Sequence, residues 1–410
     1  MAEPEGAGSE GAGSEAGSGL AGAGDAGALA AERAIDELRR GRPIIVTPGE
    51  GEAENEGKTE GAGAGGAARE HLAILPVELA SDAALAAFEA GGSRAGAAAG
   101  EDAPRADILI TDKRAETLAL ANQRAAAGMR AVRIRRPDWI AAGGAVAVAD
   151  PTLDLSSPLK GPFDTVPVAD EALAAAALAA AKFAGLLPAV HVRSARGDDA
   201  HMLRVPAAAI AAYRAPSTLR QITRARLPLK AAEDTQVAAF RSPGGPEHLA
   251  LLIGDWATKD APLTRLHSAC LTGDVLGSLK CDCGDQLHAA LDAIAADGGG
   301  ILLYLQQEGR GIGLLNKLRA YRLQDQGFDT VDANLRLGFE VDERDFGIAA
   351  EMLKAVGAPR IRLLTNNPSK VGGLADEGIE VTARIPLVAG HGPLNEAYLA
   401  TKRDRTGHQF

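Results

Sequence analysis

Three observations predict an α/β (α+β) protein of two domains. The 410 residues exceed one ordinary domain. Apolar runs of strand length alternate with amphipathic runs of helix length in both halves. Hydrophobic residues make up 46% of the chain, enough for ordinary cores, yet aromatics are only 3%, so those cores rest on Ala, Leu, Val and Ile.

In chain order, residues 1–27 are rich in Gly, Ala, Ser and Glu and read as a flexible low-complexity tail, with no basic start or apolar core to mark a secretion signal. A helix is expected over Ala28–Arg40 and a strand over Pro43–Thr47. Gly/Glu-rich 48–66 reads as a loop, and Gly92–Pro104 as a second loose insertion. A strand over Ile108–Thr111, a helix over Asp112–Gly128 and a strand over Ala131–Ile134 follow. Asp170–Gly185 reads as a helix and Pro188–Val192 as a strand, with a linker near Ala215–Leu219. The domains are therefore expected at 28–214 and 218–410.

In the second domain, Leu287, Leu291 and Ile294 share one face of a helix over Asp285–Ala296. Gly298, Gly299 and Gly300 end it, and Ile301–Leu305 reads as a buried strand. Gln306–Gly313 is a glycine-rich loop, Leu314–Gln326 a helix stopped by Gly327, and Phe346–Val356 a helix. The strand Arg360–Thr365 and a turn at Asn366-Asn367-Pro368 follow.

The formal net charge of −11 argues against nucleic-acid or anionic-membrane partners, while leaving room for a local basic pocket. The longest apolar stretch, Ala172–Val190, is mostly alanine and carries Lys182, which suits a buried helix better than a membrane span. Only three cysteines occur, two of them one residue apart, so a disulfide framework is implausible and a reducing cytoplasm fits.

Those cysteines carry the sharpest chemical signal. Cys270, Cys281 and Cys283 lie within fourteen residues. Catalytic zinc keeps three protein ligands and one open position, and lowers the pKa of a bound water to roughly 7. That service suits hydrolysis of a C–N bond in a heteroaromatic ring. A closed structural site using His267 as fourth ligand, or three unligated thiols, remain the alternatives.

Gln306 to Gly313 lies between a strand and a helix. Three glycines allow close backbone approach, the helix start favours anions, and Arg310 matches phosphate oxygens. A plain strand-to-helix turn with a surface arginine is the bland reading. The run Asp342-Glu343-Arg344-Asp345 ordinarily makes a solvated helix start, and Tyr321 ordinarily packs its ring. Thr365 and Lys370 would ordinarily be surface residues beside a turn.

Taken together, Arg265 to Asp274, Ser278 to Gly284, the Gln-Glu-Gly-Arg loop, Asn316 to Gly327, Asp329 to Asn334, Leu337 to Phe339, Asp342 to Phe346 and Leu363 to Lys370 resemble GTP cyclohydrolase II closely. The resemblance covers roughly 218–410. It implies zinc, one per subunit, on Cys270, Cys281 and Cys283, and magnesium on the GTP triphosphate. It implies GTP contacts from Arg265, Leu266, His267, Ser268, Ala269, Gln286, Glu308, Gly309, Arg310, Thr330, Thr365 and Lys370. Tyr321 matches the tyrosine associated with ring hydrolysis. Arg344 matches the arginine assigned to attack the α-phosphate, and Asp342 its proton acceptor. Guanidinium stays protonated at ordinary pH, so stabilising phosphate charge is the other role open to Arg344. The implied reaction opens the guanine ring of GTP, releasing formate and pyrophosphate, at the entry to riboflavin biosynthesis, in a cytoplasmic homodimer. A family member acting on another nucleotide or pyrimidine, and a non-catalytic zinc- and nucleotide-binding module, are the competing readings. One departure stands out: Ala269 occupies a position where the family often has Glu.

The first half resembles 3,4-dihydroxy-2-butanone 4-phosphate synthase more faintly, through Ala34 to Val46, Glu54-Asn55-Glu56-Gly57 and Ala180 to Ala189. Pro48 to Ala53 replaces that family's Asp-rich loop, and no histidine lies between His71 and His191 to match its Arg-x-Gly-His-Thr motif. Such an enzyme needs acidic groups for magnesium and a histidine for proton transfer. The expectation is a catalytically dead relative that keeps a scaffold or dimerisation role.

Overall fold

A computed structural model describes residues 23–49, 70–91, 105–158, 160–213, 216–390, 392–393, 395–407 and 409. Most of the expected tail, the bulk of the 48–66 loop with its Glu-Asn-Glu-Gly run, all of the Gly92–Pro104 insertion and the start of the expected linker lie outside them.

The strands of the first half are β1 (Ile44–Thr47), β2 (Leu72–Pro76), β3 (Asp107–Thr111), β4 (Ala131–Ile134), β5 (Thr165–Val166), β6 (Ala189–Ser194) and β7 (Leu203–Pro206). They form one sheet in the order β5-β4-β3-β6-β2-β1-β7, antiparallel except for β1 beside β7. The helix Ala23–Arg39 buries Ala31, Ala34, Ile35 and Leu38, the one-sided spacing of a helix lying on a sheet. The helix Glu171–Phe183 is capped by Asp170, whose carboxylate accepts from Leu173 N at 3.1 Å. Its alanines are buried over most of its girth, so small side chains let it press close between the sheet and the first helix.

The second half has β8 (Arg220–Arg226), β9 (Thr235–Arg241), β10 (Glu247–Gly254), β11 (Leu263–Ser268), β12 (Gly299–Leu305), β13 (Arg360–Leu364) and β14 (Glu380–Ile385), in the order β14-β13-β11-β12-β10-β9-β8. β14, β13, β11 and β12 run parallel, and β10, β9 and β8 continue the sheet antiparallel. Each half thus has its own sheet, which agrees with the α/β (α+β) fold expected.

Three expectations need correction. The tail expected over 1–27 already gives way at Ala23, where the first helix begins rather than at Ala28. The helix predicted over Asp112–Gly128 ends at Thr117. Beyond it Ala119 takes a left-handed φ of 59°, and Gln123 is tied across to the Phe163 carbonyl and to Thr165 N, each at 2.8 Å. Tertiary hydrogen bonds thus override alanine's helical preference there. The three glycines expected to stop the helix before β12 partly belong to the strand. At Gly300 a Cβ would stand 2.1 Å from the Leu263 carbonyl, so β12 can lie against β11 only without a side chain there.

A mixed core joins the halves: Val77, Ile108, Ile110 and Leu187 pack with Ile312, Ala320, Leu323, Ala333, Leu337 and Phe339. Arg319 bridges the same boundary, donating to Glu78 at 2.7 Å and Asp150 at 3.3 Å. Among the described residues no helix is long and apolar enough to cross a membrane.

Candidate active site

In parallel sheets the loops after the carboxyl ends of the strands form the natural binding crevice. β11 and β12 pair in register to their ends, Ser268 beside Leu305, so Ala269-Cys270 and Gln306 to Gly309 leave the sheet side by side. β13 adds Thr365 to Asn367 on the other flank. These loops line a cleft of about 1110 Å³, open to solvent, whose walls include all twelve residues expected to contact nucleotide, together with Cys270, Cys281, Cys283, Tyr321 and Arg344.

The three sulfurs converge. Cys270 and Cys281 Sγ are 3.7 Å apart, and all three Sγ atoms lie within 4.8 Å of one another. Thiolates about 2.3 Å from a tetrahedral ion would stand ~3.8 Å apart, so the donor set fits zinc. Gly273 makes room for this cluster: a Cβ there would lie 2.9 Å from Cys281 Sγ and 3.1 Å from Cys270 Sγ. A Cβ at Gly284 would lie 2.5 Å from the Gly273 carbonyl, so both segments need glycine to meet. Hydrogen bonds from Cys281 and Cys283, with help from Lys317, hold the Cys270 thiol below its ordinary value. The Cys270 sulfur in turn pushes Cys281 and Cys283 upward. Three crowded thiols cannot all ionise without a cation among them.

His267 does not close the set. Its Nε2 lies 3.1 Å from the Asp274 carboxylate, and among the described residues the potential metal ligands gathered here are the three sulfurs alone. Asp274 also accepts from Cys270 N and Tyr304 Oη, each at 2.9 Å, and so braces the first cysteine from behind. His267 Nδ1 is buried without a partner. Ala269 donates its N–H to the Leu305 carbonyl at 2.7 Å; its methyl sets no carboxylate beside Cys270.

Two buried cations stand deeper in the cleft. Arg265 donates to the Leu364 carbonyl at 2.9 Å and to Gln286 at 2.5 Å, and its Nε has no partner. Burial lowers its pKa to about 10. Lys370 donates to the Leu266 carbonyl at 2.8 Å, and burial, then Arg265 and Arg344, press its ammonium well below lysine's usual value. These hydrogen bonds end on neutral acceptors, so an incoming anion would relieve the desolvation of both groups.

Arg344 and Asp342 form a two-pronged pair, Nε to Oδ1 at 2.8 Å and Nη2 to Oδ2 at 2.5 Å. Arg344 lines the cleft, and Asp342 stands behind it. Burial raises the Asp342 carboxyl, but the hydrogen bonds and charge of Arg344, with the charge of Arg310, together outweigh it and leave the net shift downward. A carboxylate held this way is a weak proton acceptor.

The Gln-Glu-Gly-Arg loop is a tight backbone fold. Gly309 and Arg310 both adopt left-handed φ, 63° and 61°, which costs a non-glycine residue energy and marks Arg310 as held in place. Glu308 accepts from Leu271 N and from Lys317 Nζ, each at 2.7 Å. Thr330 begins the helix Thr330–Arg336 and accepts from Gln324 at 2.9 Å; Thr365 Oγ1 caps Asn367 N at 3.0 Å. Tyr321 lies on the helix Gly313–Asp325 with its hydroxyl 3.4 Å from Thr272 Oγ1, and burial raises it to about 12.

Sequence reasoning missed Lys317 and Lys402. Lys317 sits one helical turn before Tyr321 and donates to Cys270 Sγ at 2.9 Å and Thr272 at 2.8 Å, setting a positive charge against the thiolates. The four-residue spacing from Tyr321 was the available signal. Lys402 reaches Asp282, between the paired cysteines, at 2.7 Å from the last helix; no local pattern announces a contact across 120 residues.

Fold and site together define a two-domain α/β protein with a three-cysteine cluster, able to hold a metal ion, set in a cation-lined cleft. The family model described as GTP cyclohydrolase II matches residues 220–386. A "GTP cyclohydrolase-2" of Azospirillum brasilense is 46% identical over 315 residues, 74% of this chain and 81% of that protein. Proteins of the same name from Proteus mirabilis and Pseudomonas putida are 53% and 54% identical over 192 and 189 residues, covering 47% and 46% of this chain and 96% and 92% of theirs. The chain belongs to the GTP cyclohydrolase II family. The Azospirillum likeness is longer than the second half alone, so it runs into the first half as well.

Proposed function

We propose that this protein hydrolyses GTP to 2,5-diamino-6-ribosylamino-4(3H)-pyrimidinone 5′-phosphate, formate and pyrophosphate, the first step of riboflavin biosynthesis. The observation that carries the reading is a thiolate cluster on the same cleft wall as Arg265 and Lys370, two buried cations whose hydrogen bonds end on neutral groups. The names of the family and of the relatives above support the choice of nucleotide.

Cys270, Cys281 and Cys283 would hold one zinc, which when bound supplies an electrophile and an activated water for the purine carbon that leaves as formate. Arg265, Arg310 and Lys370 hold the phosphates, with Arg344 beside them, and magnesium travels with the triphosphate. Glu308 keeps the phosphate loop closed on Lys317. Tyr321, still protonated at neutral pH, donates from the metal side of the cleft to the ring being opened. Arg344 stabilises charge as pyrophosphate departs, since Asp342 is held too acidic to strip a guanidinium. The leading test measures formate and pyrophosphate from GTP on purified protein, alongside its zinc content. One zinc per chain with equal release of both products is expected; pyrophosphate without formate would move the reaction elsewhere.

A further inference from the structure

The Asp342–Arg344 pair lies on an irregular segment between Glu340 and Phe346 with no helix or strand of its own. Such a segment holds a geometry only through its tethers. Glu343, between the two paired residues, is the most heavily tied. Its N–H donates to the Arg310 carbonyl at 3.0 Å, and its carboxylate accepts from Glu340 N at 2.9 Å. Its own carbonyl presses so close to Gly311 that a Cβ there would stand 2.6 Å away. The remaining tether comes from the first half of the chain: Lys182, in the last turn of the helix Glu171–Phe183, donates to Glu343 Oε1 at 2.5 Å.

We propose that Lys182 is a positioning residue for the Asp342–Arg344 pair, acting through Glu343, and that the first half thereby sets the geometry of the second half's site. Lys182 does not touch the cleft. It is only partly exposed, 25% against 22% for Glu343, and its ammonium also lies 5.5 Å from the Phe339 ring centre, so its stem is guided toward the segment. The pair is thus neither a loose surface bridge nor a buried one. Its value lies in fixing the middle of a loop held by hydrogen bonds alone, and the helix that bears Lys182 is itself packed in the first core.

The inference rests on the proposed role of Arg344, so the test separates the two. In the full-length, zinc-loaded protein, Lys182→Met keeps the stem and removes the charge. It is expected to lower kcat for pyrophosphate release about three- to tenfold, with KM for GTP changed less than about twofold. Lys182→Arg, which keeps charge and reach, is expected to restore kcat to within about twofold. The double variant Lys182→Met with Glu343→Gln should be no slower than the worse single, the mark of a shared interaction. A normal kcat in Lys182→Met, or a loss of thermal stability with unchanged kcat, would overturn the tether if Arg344→Ala is crippled. Full turnover in Arg344→Ala would instead overturn the role of the pair itself.

Discussion

Both halves bury cations, and two of those in the second half are treated differently from the rest, since Lys317 and Lys402 are paired with Glu308 and Asp282. In the first half Arg193 is forked onto Asp199 at 2.6 and 2.7 Å, and Arg114 onto Asp154 at 2.7 and 2.9 Å. Each buried guanidinium has its counter-ion within the fold. In the second half Arg265 and Lys370 are as deeply buried but donate to an amide and to carbonyls, and Arg265 keeps an idle Nε. Burying a charge without its counter-ion is expensive, and folds retain it where the counter-ion arrives as ligand. The contrast separates a scaffold whose electrostatics are complete from a site whose electrostatics are completed by an anion.

The sharpest way to break this comparison is to strip the site while watching the scaffold. Cys281→Ala should remove the metal and lower formate release by about four orders of magnitude or more, with the first half's melting unaffected. Metal analysis and turnover on one preparation would check it; retained zinc with retained turnover would detach the sulfurs from the chemistry. The converse is Asp199→Asn, which leaves Arg193 buried without its partner. It is expected to cost about 3–5 kcal/mol of stability, read by denaturant unfolding, while KM for GTP at low temperature stays within about twofold. A KM change as large as that of a cleft variant would show that the two halves do not divide scaffold from site.

The candidate site was easier to pick out in the sequence than the fold. Cys270, Cys281, Cys283 and the Gln-Glu-Gly-Arg loop stand out because a metal or phosphate needs particular atoms at fixed spacing, and the fold brings them to one cleft; Arg344, in a charged run that reads as a solvated helix start, stood out only through the family resemblance. The fold was legible where periodicity is strong, as in the helix bearing Leu287, Leu291 and Ile294, which is observed as Cys283–Ala296. It was not legible at β8, β9 and β10, where no strand was expected. β8 is an edge strand exposed along its whole length, so Arg220 to Arg226 shows no alternation of buried and exposed residues. Nor was it legible at Ala119 to Met129, where Gln123, donating to the Phe163 carbonyl and accepting from Thr165 N, decides the path. Lys317 and Lys402 stayed hidden because a lysine's usual place is the surface, and only the folded chain reveals a thiolate or a carboxylate within its reach.

The smallest expected effect bears on a flaw in the scaffold's electrostatics among the described residues. His191 lies in the centre of the first sheet, fully buried between β2 and β3, and neither ring nitrogen has a partner. Burial, then the nearby Arg136 charge, lowers its pKa from 6.5 to about 3. The folded protein therefore keeps the ring neutral while the unfolded chain takes up a proton once the pH falls below about 6.5. Stability is complete above that value and declines as the pH drops toward about 3, by at most ~1.4 kcal/mol per pH unit for this one group. Paired carboxylates add their own acid sensitivity, so the informative quantity is the difference from His191→Leu, which removes the ring and nothing else that titrates. The variant should melt near wild type at pH 7.5 and above it at pH 5, with turnover at pH 7.5 unchanged. An equal difference at both pH values would mean that His191 finds a proton or a partner inside the sheet, and the first half would then share the second half's habit of leaving a buried polar group waiting.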